Sequence, residues 1–320
     1  MSTSDPKSAT TANAVASIQP IIIVHDLFGT LFSLEAPTAA LRKSYPQLSP
    51  LRAHSIILDW YQCFQRDLAT LSSNDAYQPA SVVFKETLPR ALKQAGLSTS
   101  PTNGTSTFDP ADESIPGPEQ AEGAERENPY PSEITQPILD SLQHLSPRPG
   151  FIEAFTEIYR SADRWPGEVQ IWAATNGGAD LARTLLLAGV GGSHEHGGEL
   201  RMGTGRAPSE GVGIFSCDEI RVSKPDPRVY AAIRSKLGLP SALDEAAAGG
   251  REAASLWFVA SHTWDLFAAK RAGFKTCWIS YEEFFACEAI YGRPDIVARD
   301  LAAGAKAMLE WEREHNGRSP

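Results

Sequence analysis

The sequence predicts an α/β protein: a doubly wound, Rossmann-like parallel sheet with an inserted helical cap. Two observations carry this. Short apolar runs (Ile21-Ile22-Ile23-Val24, Val169–Ala174, Leu256–Ala260, Lys275–Ile279) recur between stretches of helical periodicity. Runs of this kind, bounded by turn residues and lacking polar alternation, read as strands buried on both faces, as in a parallel sheet. Second, residues 36–145 hold no further strand of this type, so helices are inserted behind the first strand.

The chain begins with a Ser-, Thr- and Ala-rich stretch, residues 1–18, which reads as a disordered tail. It has neither the apolar segment of a secretory signal nor the arginines of a transit peptide. Pro20 introduces the first strand, which runs into His25-Asp26-Leu27-Phe28-Gly29-Thr30. Ligands of open α/β sheets sit beyond the carboxyl ends of the strands. Asp26 is therefore either a group facing the active crevice or a turn aspartate bonded to backbone amides.

Ile57, Trp60, Tyr61, Phe64 and Leu68 give Ile56–Leu71 a helical spacing, and Val82, Val83, Leu88 and Leu92 do the same for Ser81–Gly96. Residues 98–132 carry six prolines and few large apolar groups. They would bury too little to offset their ordering entropy and read as a disordered insertion in the cap. The core is expected over 19–35 and 146–312, the cap over 36–145, and a short tail over 313–320.

From residue 136 helix and strand alternate. Helices are expected at Pro137–Leu145 and Phe151–Ala162, then the strand Val169–Ala174 ending at Thr175-Asn176-Gly177-Gly178, then the helix Ala179–Ala188. The glycine-rich stretch 191–213 holds His194 and His196, read as loop residues and not as metal ligands. A strand and turn over Ile214–Val222 lead to Ser223-Lys224-Pro225-Asp226-Pro227. Asp226 as N-cap and Pro227 in the first turn start a helix to about Leu237. Leu239–Ser255 reads as a loop, and Leu256–Ala260 as a strand ending in Ser261-His262-Thr263-Trp264-Asp265. A helix Leu266–Ala272, the strand Lys275–Ile279, a short Ile296–Ala298 segment and a last helix to about Trp311 complete the sheet.

Composition narrows the function. A net charge of −10 over 320 residues, with no basic stripe, speaks against nucleic acid as a partner. No apolar run approaches the length of a membrane span. The four cysteines, Cys63, Cys217, Cys277 and Cys287, have no CxxC or metal-ligand spacing and read as reduced thiols of a cytoplasmic protein. The expected partner is a small-molecule substrate.

Asp26, Thr175, Asn176, Lys224 and Asp265 all follow predicted strands or the turns beside them. In a doubly wound sheet they converge on one rim. A carboxylate facing a lysine, a hydroxyl, an amide and a second carboxylate suits a nucleophile site. The lysine would keep Asp26 ionised, and Thr30 would hold one carboxylate oxygen.

The segments IIIVHDLFGTLF, IWAATNGG, VSKPDPRVY and LWFVASHTWD, in this order at strand ends, resemble the four motifs of the haloacid dehalogenase superfamily. The resemblance implies that Asp26 is the nucleophile, that Thr175 and Asn176 bind the substrate's anionic group and that Lys224 orders the charges. Phosphatases of that superfamily usually carry a second aspartate where this chain has Phe28, and a magnesium-holding aspartate where it has Ser261. Without them, an anionic nucleophile about 4 Å from a phosphate costs roughly 4 kcal/mol, on the order of a thousandfold in rate.

The 2-haloacid dehalogenase branch is more similar. It has an aromatic residue at Phe28, and its Lys-Pro-Asp-x-Arg-Val-Tyr segment matches Lys224–Tyr230. Its Trp-Asp pair and Gly-Phe-x-Thr-Cys-Trp-Ile run match Trp264-Asp265 and Gly273–Ile279. This resemblance implies attack by Asp26 on the carbon bearing the leaving group, an ester intermediate, and its hydrolysis by a water that Asp265 and Lys224 position. No metal or other cofactor is implied, and relatives of the branch are often homodimers.

The pocket departs from the branch. Its cap arginine is replaced by Tyr61, with Arg66 one turn further along as candidate substitute; Gln62 matches. Gln65 and Ala80 replace apolar residues, and Ala260 and His262 replace a serine and an asparagine. His262 has two readings, a second base or halide donor and a hydrogen-bonded rim residue. Tyr230 either orients Lys224 or packs, and Trp264 reads as pocket wall. Asp59, Asp67, Glu282 and Glu283 read as solvated charges. The alternatives to a dehalogenase-like hydrolase are a phosphatase or phosphonatase-like enzyme, which would use Mg2+, and a non-catalytic binding protein on the same scaffold.

Overall fold

In the computed structural model of the chain, the described residues are 19–99, 128–162, 167–191, 211–247 and 253–315. Most of the stretch 98–132, the histidines His194 and His196 and the tail 1–18 lie outside them. Six parallel strands form one sheet: β1 (Ile21–Asp26), β2 (Val169–Thr175), β3 (Val212–Ser216), β4 (Ser255–Ala260), β5 (Lys275–Ile279) and β6 (Ile296–Ala298). Their order is β3-β2-β1-β4-β5-β6, the doubly wound arrangement. β1 is central, pairing Asp26 with Ala174 of β2 and Val24 with Phe258 of β4. All six residues of β1 are buried, which is why its sequence is apolar on both faces up to His25.

The core helices are α5 (Phe151–Ala162), α6 (Ala179–Gly191), α7 (Pro227–Lys236), α8 (Ala242–Ala247), α9 (Thr263–Arg271), α10 (Glu288–Tyr291) and α11 (Leu301–His315). One apolar layer joins the even-face residues of β1, such as Ile22 and Val24, to Val229 and Ile233 of α7. The other joins Ile21 and Ile23 to α5, α11 and the inserted helices. Asp226 caps α7 by accepting from Arg228 N at 2.9 Å.

Among the described residues, four α-helices lie between β1 and α5: α1 (Glu35–Ser44), α2 (Pro50–Ser73), α3 (Ala80–Gln94) and α4 (Ser132–Asp140). α2 starts six residues before its periodicity shows, because Ser49 caps Arg52 N at 3.2 Å and Pro50 suits the first turn. α4 begins at Ser132, with Pro137 inside it and not at its start. The stretch expected as loop after Leu239 holds the short α8, and α9 begins at Thr263, earlier than periodicity predicts. The last difference matters, since it puts Asp265 in the first turn of α9. Among the described residues no helix is long and apolar enough to cross a membrane.

Candidate active site

Asp26 ends β1, and the chain turns back at once. Leu31 N and Phe32 N both donate to Leu27 O, and Gly29 N donates to Phe32 O at 2.8 Å. Gly29 sits at φ +81°, where a Cβ would come within 2.9 Å of the His262 ring; only glycine fits both the turn and that space. The turn brings Thr30 under Asp26, where its hydroxyl donates to Oδ2 at 2.7 Å. Thr30 in turn accepts from Ser261 N at 2.9 Å, which ties the ends of β1 and β4 together.

Lys224 arrives from the turn before α7, its backbone N–H held by Asn176 Oδ1 at 2.8 Å. Its ammonium donates to Asp26 Oδ1 at 2.5 Å, to Asp265 Oδ2 at 2.7 Å and to Ala174 O at 3.2 Å. All three hydrogens are used. Burial disfavours the charged amine, but the two carboxylates outweigh it and hold the Lys224 pKa above its ordinary value. Tyr230 donates its hydroxyl to the other oxygen of Asp265. Asp265 is thus fully buried with both oxygens engaged, and burial raises its pKa although Lys224 pulls it back.

The structure brings together Asp26, Thr30, Lys224, Tyr230, Ser261 and Asp265 in one hydrogen-bonded cluster. Thr175 Oγ1 accepts from Gly177 N at 2.9 Å. Thr175 thus shapes the neighbouring turn, and Asn176 holds the backbone of Lys224. Tyr61 does reach the site: its hydroxyl donates to Phe28 O at 2.9 Å, and burial, with Asp26 and Glu282 nearby, keeps the phenol protonated.

Gln62 does not reach it. It is exposed on the opposite face of α2, in a groove shared with Arg52 and Arg66, because consecutive helical residues point about 100° apart. Arg66 is bound to Asp67 and 60% exposed, so it cannot stand in for a pocket cation.

Three groups of the site carry no signal in the sequence: Arg148, Glu282 and Glu283. Arg148 donates to Gly29 O at 3.1 Å and pairs with Glu282. Glu282, expected in solvent, is 8% exposed and accepts from His262 Nε2 at 3.1 Å. Burial would raise Glu282; the His262 imidazole and the Arg148 guanidinium outweigh it and hold the carboxyl below its ordinary value. Glu283 is likewise bound, accepting from Thr263 N at 2.8 Å and Oγ1 at 2.7 Å. A lone charged pair after β5 carried no signal of this, since its partners are more than a hundred residues away or on another element. His262 is buried between Tyr61 and Trp264, ring centroids 5.8 and 5.5 Å away. Trp264 is half-buried and stacks on the His262 ring.

A cavity of about 590 Å³ lies between α3, α4 and the start of α6, with Phe84, Lys85, Leu139 and Gln143 on its walls. It reaches Phe28 and Gly177; Asp26, two residues before Phe28, does not line it and has its side chain 8% exposed. Among the described residues no group of three or more His, Cys, Asp or Glu side chains is arranged to hold a metal ion. Asp26 and Asp265 already share one ammonium, so this donor set does not fit the magnesium of the phosphatase alternative.

This sheet order is the fold of solved haloacid dehalogenases. A solved L-2-haloacid dehalogenase from Xanthobacter autotrophicus matches 90% of this chain and 98% of its own, with a TM-score of 0.58 and 20% identity. Among curated proteins, the sequence is similar to (S)-2-haloacid dehalogenases. An (S)-2-haloacid dehalogenase of Pseudomonas putida is 32% identical over 89 residues, 28% of this chain and 34% of the relative. The match thus spans about a third of that relative's length. A second enzyme of that species, (S)-2-haloacid dehalogenase H-109, is 22% identical over 296 residues, 92% of this chain and 100% of its own. No family model matches the chain.

Proposed function

We propose that this protein is a hydrolase that cleaves the carbon–halogen bond of a small (S)-2-haloacid through an ester on Asp26. One observation carries the reading: the Lys224 ammonium lies between two buried carboxylates, 2.5 Å from Asp26 and 2.7 Å from Asp265. That arrangement gives the Asp26 carboxyl a cationic partner in a site nearly closed to water, where a carboxylate is a better nucleophile than in water. The names of the relatives support the substrate class.

In the first step an Asp26 oxygen attacks the substrate's C2, the C–O bond forms and the halide leaves with the C–X electron pair. In the second, water attacks the Asp26 carboxyl carbon, and the alkyl oxygen leaves as the hydroxyl of a 2-hydroxy acid. Overall, haloacid and water give hydroxyacid, halide and a proton. The reaction needs no metal.

The test is halide release from (S)-2-chloropropionate in EDTA, followed by a single turnover in ¹⁸O water. Halide release with ¹⁸O in the peptide carrying Asp26 is expected. Absence of halide release, or magnesium-dependent cleavage of p-nitrophenyl phosphate in its place, overturns the proposal.

A further inference from the structure

Hydrolysis of an aspartyl ester needs a base for the attacking water, and Asp265 is poorly placed to be one. It is fully buried, and its two oxygens are taken by Lys224 and Tyr230. Lys224 has spent all three hydrogens. Of the other titratable groups near Asp26, the Tyr61 phenol stays protonated and Glu282 is paired with Arg148, whereas His262 turns a nitrogen toward the carboxyl. Its Nε2 is bound to Glu282, and its Nδ1, buried and without a hydrogen-bond partner, lies 3.9 Å from Asp26 Oδ2. That distance is too long for a direct hydrogen bond and leaves Nδ1 facing the reacting carboxyl.

We propose that His262, oriented by Glu282, is the general base that takes the proton of the water attacking the Asp26 ester. The inference rests on the Asp26 ester mechanism above. The arrangement repeats the logic of a base whose far nitrogen is fixed by a carboxylate, here with Arg148 holding Glu282 from behind.

The charges around the ring make its basicity follow the chemistry. It is faced by Asp26 from β1, by Glu282 and Glu283 from the loop after β5, and by the neutral Tyr61 from α2, with Lys224 and Asp265 across Asp26 and Arg148 behind Glu282. Burial disfavours the imidazolium, yet Glu282, Asp26 and Glu283 together hold its pKa above the ordinary histidine value. In the resting protein the neighbouring carboxylates thus favour the protonated ring. Esterification removes the negative charge of Asp26, and the halide carries it away. The imidazolium then loses its proton to solvent, and Nδ1 becomes free to accept one from water. Collapse of the tetrahedral intermediate transfers the second water proton to the leaving alkoxide. Asp26 returns as a carboxylate and His262 as a cation, so one proton is released per turnover.

The test is a rapid-quench experiment with His262→Gln and excess (S)-2-chloropropionate. The variant is expected to release one halide per protein and then stall, with the substrate retained through its C2 as the alkyl part of an ester on the Asp26 peptide. The second step should slow by about 10²–10⁴-fold, the usual worth of a general base. In the wild type the ester should decay more slowly as pH falls through one ionisation, and His262→Gln should lose that dependence. Normal turnover by the variant overturns the proposal, as does loss of the first halide while the wild type still releases it. If His262→Gln fails to fold, Glu282→Gln supplies the same readout, with ester accumulation expected and unchanged ester decay refuting the role. Absence of any halide burst in the wild type refutes the ester mechanism instead, so the two failures are distinguishable.

Discussion

Replacing Lys224 with methionine keeps most of the side-chain volume and removes the charge between two buried carboxylates. The side chains of Lys224, Asp26 and Asp265 are 1%, 8% and 0% exposed, so water cannot take over the ammonium's role. Breaking a buried pair by deleting one partner costs about 3–5 kcal/mol, and here two acids lose the same partner. The loss is expected near the upper end at pH 7.5. It should shrink as pH falls, because one carboxyl, its pKa now raised above the unfolded value, takes up a proton on folding. Urea denaturation followed by circular dichroism at pH 5 and 7.5 measures both effects. Lys224→Met combined with Asp26→Asn should be more stable than Lys224→Met alone, since it removes one of the two stranded charges. A Lys224→Met protein within about 1 kcal/mol of wild type, the range of an exposed ion pair, would refute the buried triad.

Two further substitutions probe the surroundings of the site. His25 is buried against Phe155, and burial pushes its pKa down to about 4 from 6.5. Unfolding then binds a proton, and stability should fall by about 3 kcal/mol as pH drops from 6.5 to 4. His25→Leu should flatten that part of a urea-midpoint-versus-pH curve, and an unchanged slope would place the titration elsewhere. Gly29→Ala should cost at least about 1 kcal/mol for its left-handed backbone alone. Its Cβ would also meet Glu282 Oε2 at 2.8 Å and His262 Cε1 at 2.9 Å. Displacement of the His262 imidazole signals in an NMR spectrum should accompany the loss in stability; unperturbed signals would contradict the close approach.

The strands were legible because burial on both faces demands unbroken apolar runs, a demand that Ile21–Val24 and Leu256–Ala260 meet in sequence alone. Helix starts were less so. Ser49-Pro50 and Pro131-Ser132 set helix boundaries through caps and backbone geometry, where no apolar period is present. The strand-end residues Asp26, Lys224 and Asp265 could be placed on one rim because a doubly wound topology fixes which end of each strand faces the crevice. Gln62 shows the limit of reading by neighbourhood in sequence: one residue from Tyr61, it lies on the other side of the helix.

By itself the sequence determined the parallel sheet, the helical insertion and the aspartate, lysine and aspartate that the sheet brings together, since each depends on local pattern and strand polarity. Only the tertiary structure decided that Asp265 has no free oxygen and that Asn176 serves Lys224. It alone buried Glu282 between Arg148 and His262. Those outcomes depend on which distant side chains meet in a site nearly closed to water, and no local pattern encodes such a meeting.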